Sequence, residues 1–209
     1  MLGLPKATEM SRQLPKKAVY EKFQMNTADR DKIDTNISRI TIVNEITPSK
    51  VNIPAGDEVS SFFVLLVALK RKDFDEKTIV TLSKLIHQNI LFVLEYKEKS
   101  RLAIYHSKLL KTDWIKTEEQ QVELKGLSLD KVWENIVVTV GGINIGQGRT
   151  LDEQIAMDEK IQKIKKEIDK LEKQARAEKQ PKKKYEMVQR VRTYQEQLIS
   201  LRKRTNGLK

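Results

Sequence analysis

No cysteine occurs among the 209 residues, which excludes disulfides, thiolate nucleophiles and metal sites built on Cys sulfur. Histidine is nearly as scarce. His87 and His106 fall at the end of an expected helix and the end of an expected strand, and nothing in the sequence brings them together as a general acid–base pair. The longest apolar run, residues 62–69, is far too short to cross a bilayer. The opening Met1-Leu2-Gly3-Leu4-Pro5-Lys6 lacks an apolar stretch followed by a small-residue cleavage site. A soluble, cytoplasmic chain with no membrane partner is therefore expected. The few glycines cluster as Gly141-Gly142 and Gly146-Gln147-Gly148, without the preceding strand or the Lys-Ser/Thr ending of a phosphate loop. Trp114 and Trp133 lie among apolar neighbours, as core residues do, rather than as base-stacking platforms. No resident cofactor or metal is expected.

Positive charge is plentiful, with 40 Lys and Arg against 29 Asp and Glu, a formal excess of +11. Its placement says more than its size. Residues 150–209 hold 17 basic and 10 acidic side chains, and residues 1–24 hold 5 and 2. The stretch between them is balanced to within one charge, 18 against 17. A neutral middle with basic ends points to a polyanionic partner, and the competing reading is simple solvation of a long exposed helix pair.

The last sixty residues carry the clearest periodicity. Met157, Ile161, Ile164, Ile168, Leu171 and Ala175 recur at spacings of 4 and 3, and Met187, Val191, Tyr194, Leu198 and Leu201 resume that rhythm. A 3.5-residue recurrence draws each set into one stripe of a helix, and each stripe needs a partner. The intervening Gln180-Pro181-Lys182-Lys183-Lys184 is too short for anything but an antiparallel return. Thr150, followed three residues later by Glu153, predicts a capping box at the first helix's start. Leu151, Ile155, Val188 and Ile199 lie off the stripes and could form a second seam, as in a homodimer.

The rest reads as an α/β body. Residues 1–14 read as extended, and residues 16–23 as a short helix behind Pro15. A second helix, capped by Thr27, runs to Asn36. Ile40, Ile42 and Ile46 alternate as a half-buried strand, which Pro48 interrupts and Val51-Asn52-Ile53 resumes. Residues 62–69 and 90–96 are apolar strands of the kind covered on both faces. A helix capped by Asp75 lies between them, with Ile79, Leu82, Leu85 and Ile86 inward. A hairpin leads to residues 102–105, and Leu109 to Trp114 continue that strand. Ser128 caps a helix ended by Gly141-Gly142. The expected fold is thus an α+β body with a mostly antiparallel or mixed sheet over residues 1–142, including an extended N-terminal segment. A glycine-rich linker at 143–149 and a basic antiparallel helical hairpin at 150–209 complete it.

Two kinds of chemistry present themselves. Glu95-Tyr96-Lys97 matches the acid-x-Lys element of metal-dependent nucleases, in which a carboxylate holds Mg²⁺ and a lysine positions water. That element needs a second acid on an adjoining strand, and the nearest, Asp73 and Asp75, fall where helix caps belong. The basic clusters Lys70-Arg71-Lys72, Lys182-Lys183-Lys184 and Arg202-Lys203-Arg204 can instead grip phosphates without reading bases.

Several strings together resemble a known family. They are Leu4-Pro5-Lys6-Ala7-Thr8-Glu9, Leu14-Pro15-Lys16-Lys17, Val43-Asn44-Glu45-Ile46, Phe92-Val93-Leu94-Glu95-Tyr96, Ala103-Ile104-Tyr105-His106-Ser107-Lys108 and Val132-Trp133-Glu134-Asn135-Ile136. With the linker into Gln180-Pro181-Lys182-Lys183-Lys184, they resemble a bacterial and archaeal family of domains of unknown function. Members of that family tend to be encoded beside superfamily-2 helicases and DNA methyltransferases in restriction-like or phage-defence clusters. The resemblance implies an accessory role near DNA, with a helicase or methyltransferase subunit as partner. It implies no catalytic residue. The expectation is a non-enzymatic subunit binding DNA without sequence preference. A small nuclease using Glu95 and Lys97, or a protein-only adaptor or homodimer formed through the hairpin, are the alternatives.

Overall fold

The computed structural model describes residues 2–146 and 148–205, with side chains through Leu201. The chain divides into two compact units, Met1–Gly142 and Ile143–Lys209.

In the first unit seven strands form one mixed sheet. They are β1 (Glu9–Leu14), β2 (Ile37–Ile46), β3 (Phe62–Leu69), β4 (Asn89–Tyr96), β5 (Lys99–Tyr105), β6 (Leu109–Lys111) and β7 (Ile115–Lys116). Their order is β1-β2-β3-β4-β5-β6, with β7 also beside β5. Every pair is antiparallel except β3 with β4. A parallel pair needs a crossover, and α4 (Lys77–Leu85) supplies it. One face of the sheet is covered by α1 (Lys16–Lys22), α2 (Thr27–Asn36) and α4, around a core including Ile33, Leu65, Val67, Ile79, Leu82 and Phe92. On the other, α5 (Leu129–Gly141) brings Trp133 to within 5.1 Å of the Phe62 ring, tilted by 50°. Coverage on both faces is why β3 and β4 are apolar along their length, where an outer strand would alternate.

Several local expectations are corrected. Ile40, Ile42 and Ile46 do not share a face. A bulge lies between the pairs Ile42–Leu65 and Asn44–Val64, so Ile46 emerges with Phe62 on the opposite side. Pro48 opens a one-turn helix, α3 (Pro48–Val51), and residues 51–53 do not resume the strand. The cap of α2 is Asn26, whose Oδ1 accepts from Asp29 N at 2.8 Å, one residue before Thr27. Residues 109–111 form a separate strand, turned back on β5 through a His106 N to Lys108 O bond of 3.0 Å. Asp75 accepts the Lys77 N–H at 3.0 Å just ahead of α4, where Glu76 stands as the cap residue.

Ser128 precedes α5 without a side-chain cap bond. The helix start is held from elsewhere: Leu129 N donates to Pro54 O at 2.9 Å. Asp130 reaches across to accept from the backbone of Asp57 at 2.9 Å, Glu58 at 3.2 Å and Val59 at 2.7 Å. Gly56 lies so close to this carboxylate that a Cβ there would collide with it. At the far end Gly142 takes the left-handed conformation, φ 57°, that ends a helix cleanly.

The second unit contains α6 (Leu151–Ala177) and α7 (Pro181–Thr205). The Thr150–Glu153 capping box is formed in both directions. Ile161 and Ile164, early in α6, pack with Leu198 and Leu201, late in α7, so the helices run antiparallel. The break is shorter than the sequence suggests. Pro181 starts α7, which places the three lysines inside the helix and leaves only residues 178–180 as the turn. Leu151 and Ile155 are buried, so the off-stripe seam is confined to α7, where Val188 and Ile199 are exposed. Among the described residues no helix is long and apolar enough to cross a membrane.

Candidate functional site

The basic loop after β3 is engaged in structure. Asn36, the last residue of α2, is buried, and its Nδ2 donates to Lys32 O at 2.7 Å and Thr78 Oγ1 at 3.3 Å. Its Oδ1 accepts from Arg71 Nε at 3.2 Å, Arg71 Nη2 at 3.1 Å and Asp75 N at 3.3 Å. One amide thus ties α2, the β3–α4 loop and α4 together. Lys70 Nζ donates to Asp34 O at 2.6 Å, where a cation suits the carbonyl end of α2. Lys72 Nζ stands 5.9 Å from the Trp114 ring, which the Arg101 guanidinium also approaches at 5.3 Å. Arg101 is held there by two bonds to Thr112 O, from Nε at 2.9 Å and Nη2 at 2.5 Å. Lys70, Arg71 and Lys72 are exposed, yet each has a local partner that accounts for its position.

Beside this loop, Lys16, Tyr20 and Asp34 form a clasp between α1 and α2. Asp34 Oδ1 accepts from Lys16 Nζ at 2.6 Å and from Tyr20 Oη at 2.9 Å. The Lys16 bond holds the Asp34 carboxyl below its ordinary range, with Tyr20 assisting. Burial, then the same carboxylate, pushes the Tyr20 phenol well up.

Glu95 and Lys97 lie at the carboxyl end of β4. Glu95 faces Ala68 on β3 and Ser100 on β5, so neither flanking strand sets a second carboxylate opposite it. Asp73 is exposed in the β3–α4 loop, and Asp75 is occupied with Lys77 N. Lys97 forms the tight β4–β5 turn itself, with φ 56°, and its Nζ lies 5.5 Å from the Tyr96 ring. Among the described residues no cluster of three or more His, Asp or Glu side chains could hold a metal ion.

The hairpin presents a different surface. Lys182, Lys183 and Lys184 occupy the first turn of α7, all exposed, with no acidic residue in that turn. Among the described residues none of the three forms an ion pair with a carboxylate, whereas on α6 Lys173 pairs with Asp169 at 2.8 Å and Arg176 with Glu172 at 3.9 Å. The backbone of Arg202, Lys203 and Arg204 continues α7, but their side chains lie outside the described residues. Residues 160–209 hold 17 basic and 6 acidic side chains, an excess of +11 that equals the formal charge of the whole chain.

One feature escaped the sequence entirely. Between α1, β1 and the residues after α4 lies a cleft of about 430 Å³ with an apolar floor of Ile42, Phe63, Leu65 and Ile90. Arg12 and Lys22 stand at its edge. They come from segments that only the tertiary fold brings together, and no local pattern marks them.

Residues 2–198 match the family described as a domain of unknown function (DUF4391), and the chain belongs to that family. No curated protein and no solved structure matches it.

Proposed function

Starting from membership of that family, we propose that this protein is a non-enzymatic accessory or adaptor subunit of a DNA-processing assembly, touching nucleic-acid phosphates through its helical hairpin. The observation that carries this reading is the charge of residues 160–209, 17 basic against 6 acidic, with Lys182, Lys183 and Lys184 exposed in a first turn that holds no acidic residue. Three lysines in a first helical turn add to the positive end of the helix dipole. That placement is unfavourable in isolation and favourable beside an anion. Lysines are point charges, suited to phosphates rather than base edges, so the affinity is sequence-indifferent and salt-sensitive. The gene neighbourhood implied by the resemblance supplies the partner class, a helicase or DNA methyltransferase of a phage-defence system, on which the α/β body docks.

The test is fluorescence anisotropy with duplex DNA over a salt series, comparing the intact protein with Lys182→Glu/Lys183→Glu/Lys184→Glu. Removing three phosphate contacts lowers the slope of log affinity against log salt by roughly three units. The variant's unfolding midpoint is expected to be no lower than the parent's, because acidic side chains suit a helix start. An unchanged slope would move the contact elsewhere, and no DNA binding by the intact protein would remove the reading.

A protein-only adaptor or homodimer is favoured by one observation. Tyr185 and Ile199 are 65% and 55% exposed, and Val188 of the same helix is exposed too. At 3.6 residues per turn the three fall within about 60° of one another. Sedimentation of Val188→Glu/Ile199→Glu decides: dissociation of a dimer supports self-association, and a monomeric parent protein excludes it. The nuclease alternative through Glu95 and Lys97 lacks a second carboxylate opposite Glu95. Metal-dependent cleavage that is lost in Glu95→Ala would restore it.

A further inference from the structure

We infer that the cleft between α1, β1 and the end of α4 receives an extended, acidic segment of the partner protein, which pairs along β1 and buries one large apolar side chain. This rests on the accessory-subunit reading only for the source of the segment; the chemistry is read from the cleft itself. The floor is apolar, with Ile42 and Phe63 only half-buried although both face the side of the sheet that the helices cover. The gap exists because α1 is only seven residues long and α4 ends at Leu85, leaving this stretch of sheet without a helix over it. At about 430 Å³ it holds a large side chain, within the range of ligand-binding clefts.

The rim selects charge. Arg12 and Lys22 line the cleft, and among the described residues no acidic side chain does. Among the described residues neither cation has a carboxylate partner; Lys22 Nζ stands 5.5 Å from the Phe23 ring. An apolar side chain flanked by Asp or Glu therefore finds both its burial and its counter-charges at one place.

The edge supplies the third element. β1 ends the sheet order, and among the described residues no strand pairs with its outer side. Arg12 and Leu14 of this strand line the cleft, so a chain added along β1 runs past its mouth. An exposed edge invites indiscriminate pairing, which proteins restrain with charge and bulges. β1 has a register shift between Glu9 and Arg12, and Arg12 repels basic strands while admitting acidic ones.

The test uses the full chain and a fluorescein-labelled peptide of alternating Glu and Leu with one central Trp, followed by anisotropy. The intact protein binds it. Arg12→Glu/Lys22→Glu weakens binding by about tenfold, as two rim ion pairs warrant. The same variant gains affinity for a peptide with Lys in place of Glu. Ala18→Trp, which fills the cleft from exposed α1, lowers affinity by at least about tenfold through loss of the buried anchor. Of two peptides N-methylated on alternate residues, one loses binding and the other keeps it, because only one edge of the added strand faces β1. Failure of the parent peptide to bind, equal binding by both methylated peptides, or no effect of either variant overturns the inference. So does binding of free decanoate, added as a second probe, where no peptide binds, which would make the cleft a small-molecule site. DNA binding by the Arg12/Lys22 variant is measured in parallel. Lost peptide binding with intact DNA binding confirms the cleft as a separate site, and DNA binding that falls with it assigns these cations to DNA instead.

Discussion

The basic cluster after β3 and the basic cluster at the start of α7 use charge in opposite ways. Around α2 in the α/β body, cations serve the structure: Arg71 completes the hydrogen bonding of Asn36, Lys70 meets the end of α2, and Lys16 holds Asp34. In the hairpin, the side chains of Lys182, Lys183 and Lys184 are exposed and have no carboxylate partner among the described residues. Equal clusters in a sequence can thus differ in kind. A cation with a buried or geometrically fixed acceptor belongs to stability, and a cation without one is available to a partner.

The largest effect tests that division directly. Truncation after Gly148 is expected to leave a body that melts in a single cooperative transition, while DNA affinity at low salt falls by orders of magnitude. Differential scanning calorimetry and anisotropy on the same sample read both. A truncated protein that still binds DNA would return the function to the body, and one without a cooperative melt would show that the hairpin completes the core.

Next comes the contrast within the basic clusters. Asn36→Ala strands the Arg71 guanidinium and the Asp75 N–H, and is expected to cost about 3 kcal/mol in urea unfolding. Lys183→Ala is expected to cost nothing measurable. If Asn36→Ala were equally mild, the β3–α4 cations would have no structural duty, and their claim as a phosphate site would revive.

Gly56→Ala is expected to cost about 1–2 kcal/mol. A Cβ at this position pushes the Asp130 carboxylate off the Asp57, Glu58 and Val59 N–H groups, which sit beside α5. Substitution by Ala at an exposed helical position of the hairpin, Gln195→Ala, is expected to be neutral.

The smallest effect is the pH dependence of the clasp. Asp34 has a folded-state pKa below its unfolded value, so its stabilisation is present above about pH 4 and is lost as pH falls through the folded value. The Asp34 side chain is about half exposed, which keeps the contribution small. Tyr20 acts at the other limit: its pKa is raised, so its contribution is present below about pH 10 and is lost as pH rises further. Lys16→Met should flatten the acid-side loss measured by thermal melts. An identical acid profile in that variant would remove the clasp from the account.

Legibility in the sequence followed the range of the interactions. The hairpin was readable because helix pairing depends on a periodicity repeated every turn, and the stripe from Ile161 to Leu201 packs where that periodicity places it. The apolar runs of β3 and β4 were readable as strands covered on both sides, since only such strands lack a polar alternate. Misreadings came where a local signal had two outcomes. Pro48 both ends a strand and starts a helix, and Thr27 and Asn26 both suit a cap.

By itself, then, the order of residues determined where the longer helices lie, which strands are covered on both faces, and where net positive charge accumulates. These follow from propensity, periodicity and counting, each a property of neighbours along the chain. The tertiary structure alone decided that β1 stands at the open edge of the sheet and that a bulge turns Ile46 to the face opposite Ile42. It alone placed Arg71 on Asn36, thirty-five residues away, and set Arg12 and Lys22 at the rim of one cleft. Such contacts join segments whose separation leaves no trace in local pattern, because their energy arises only when the chain has closed the loops between them.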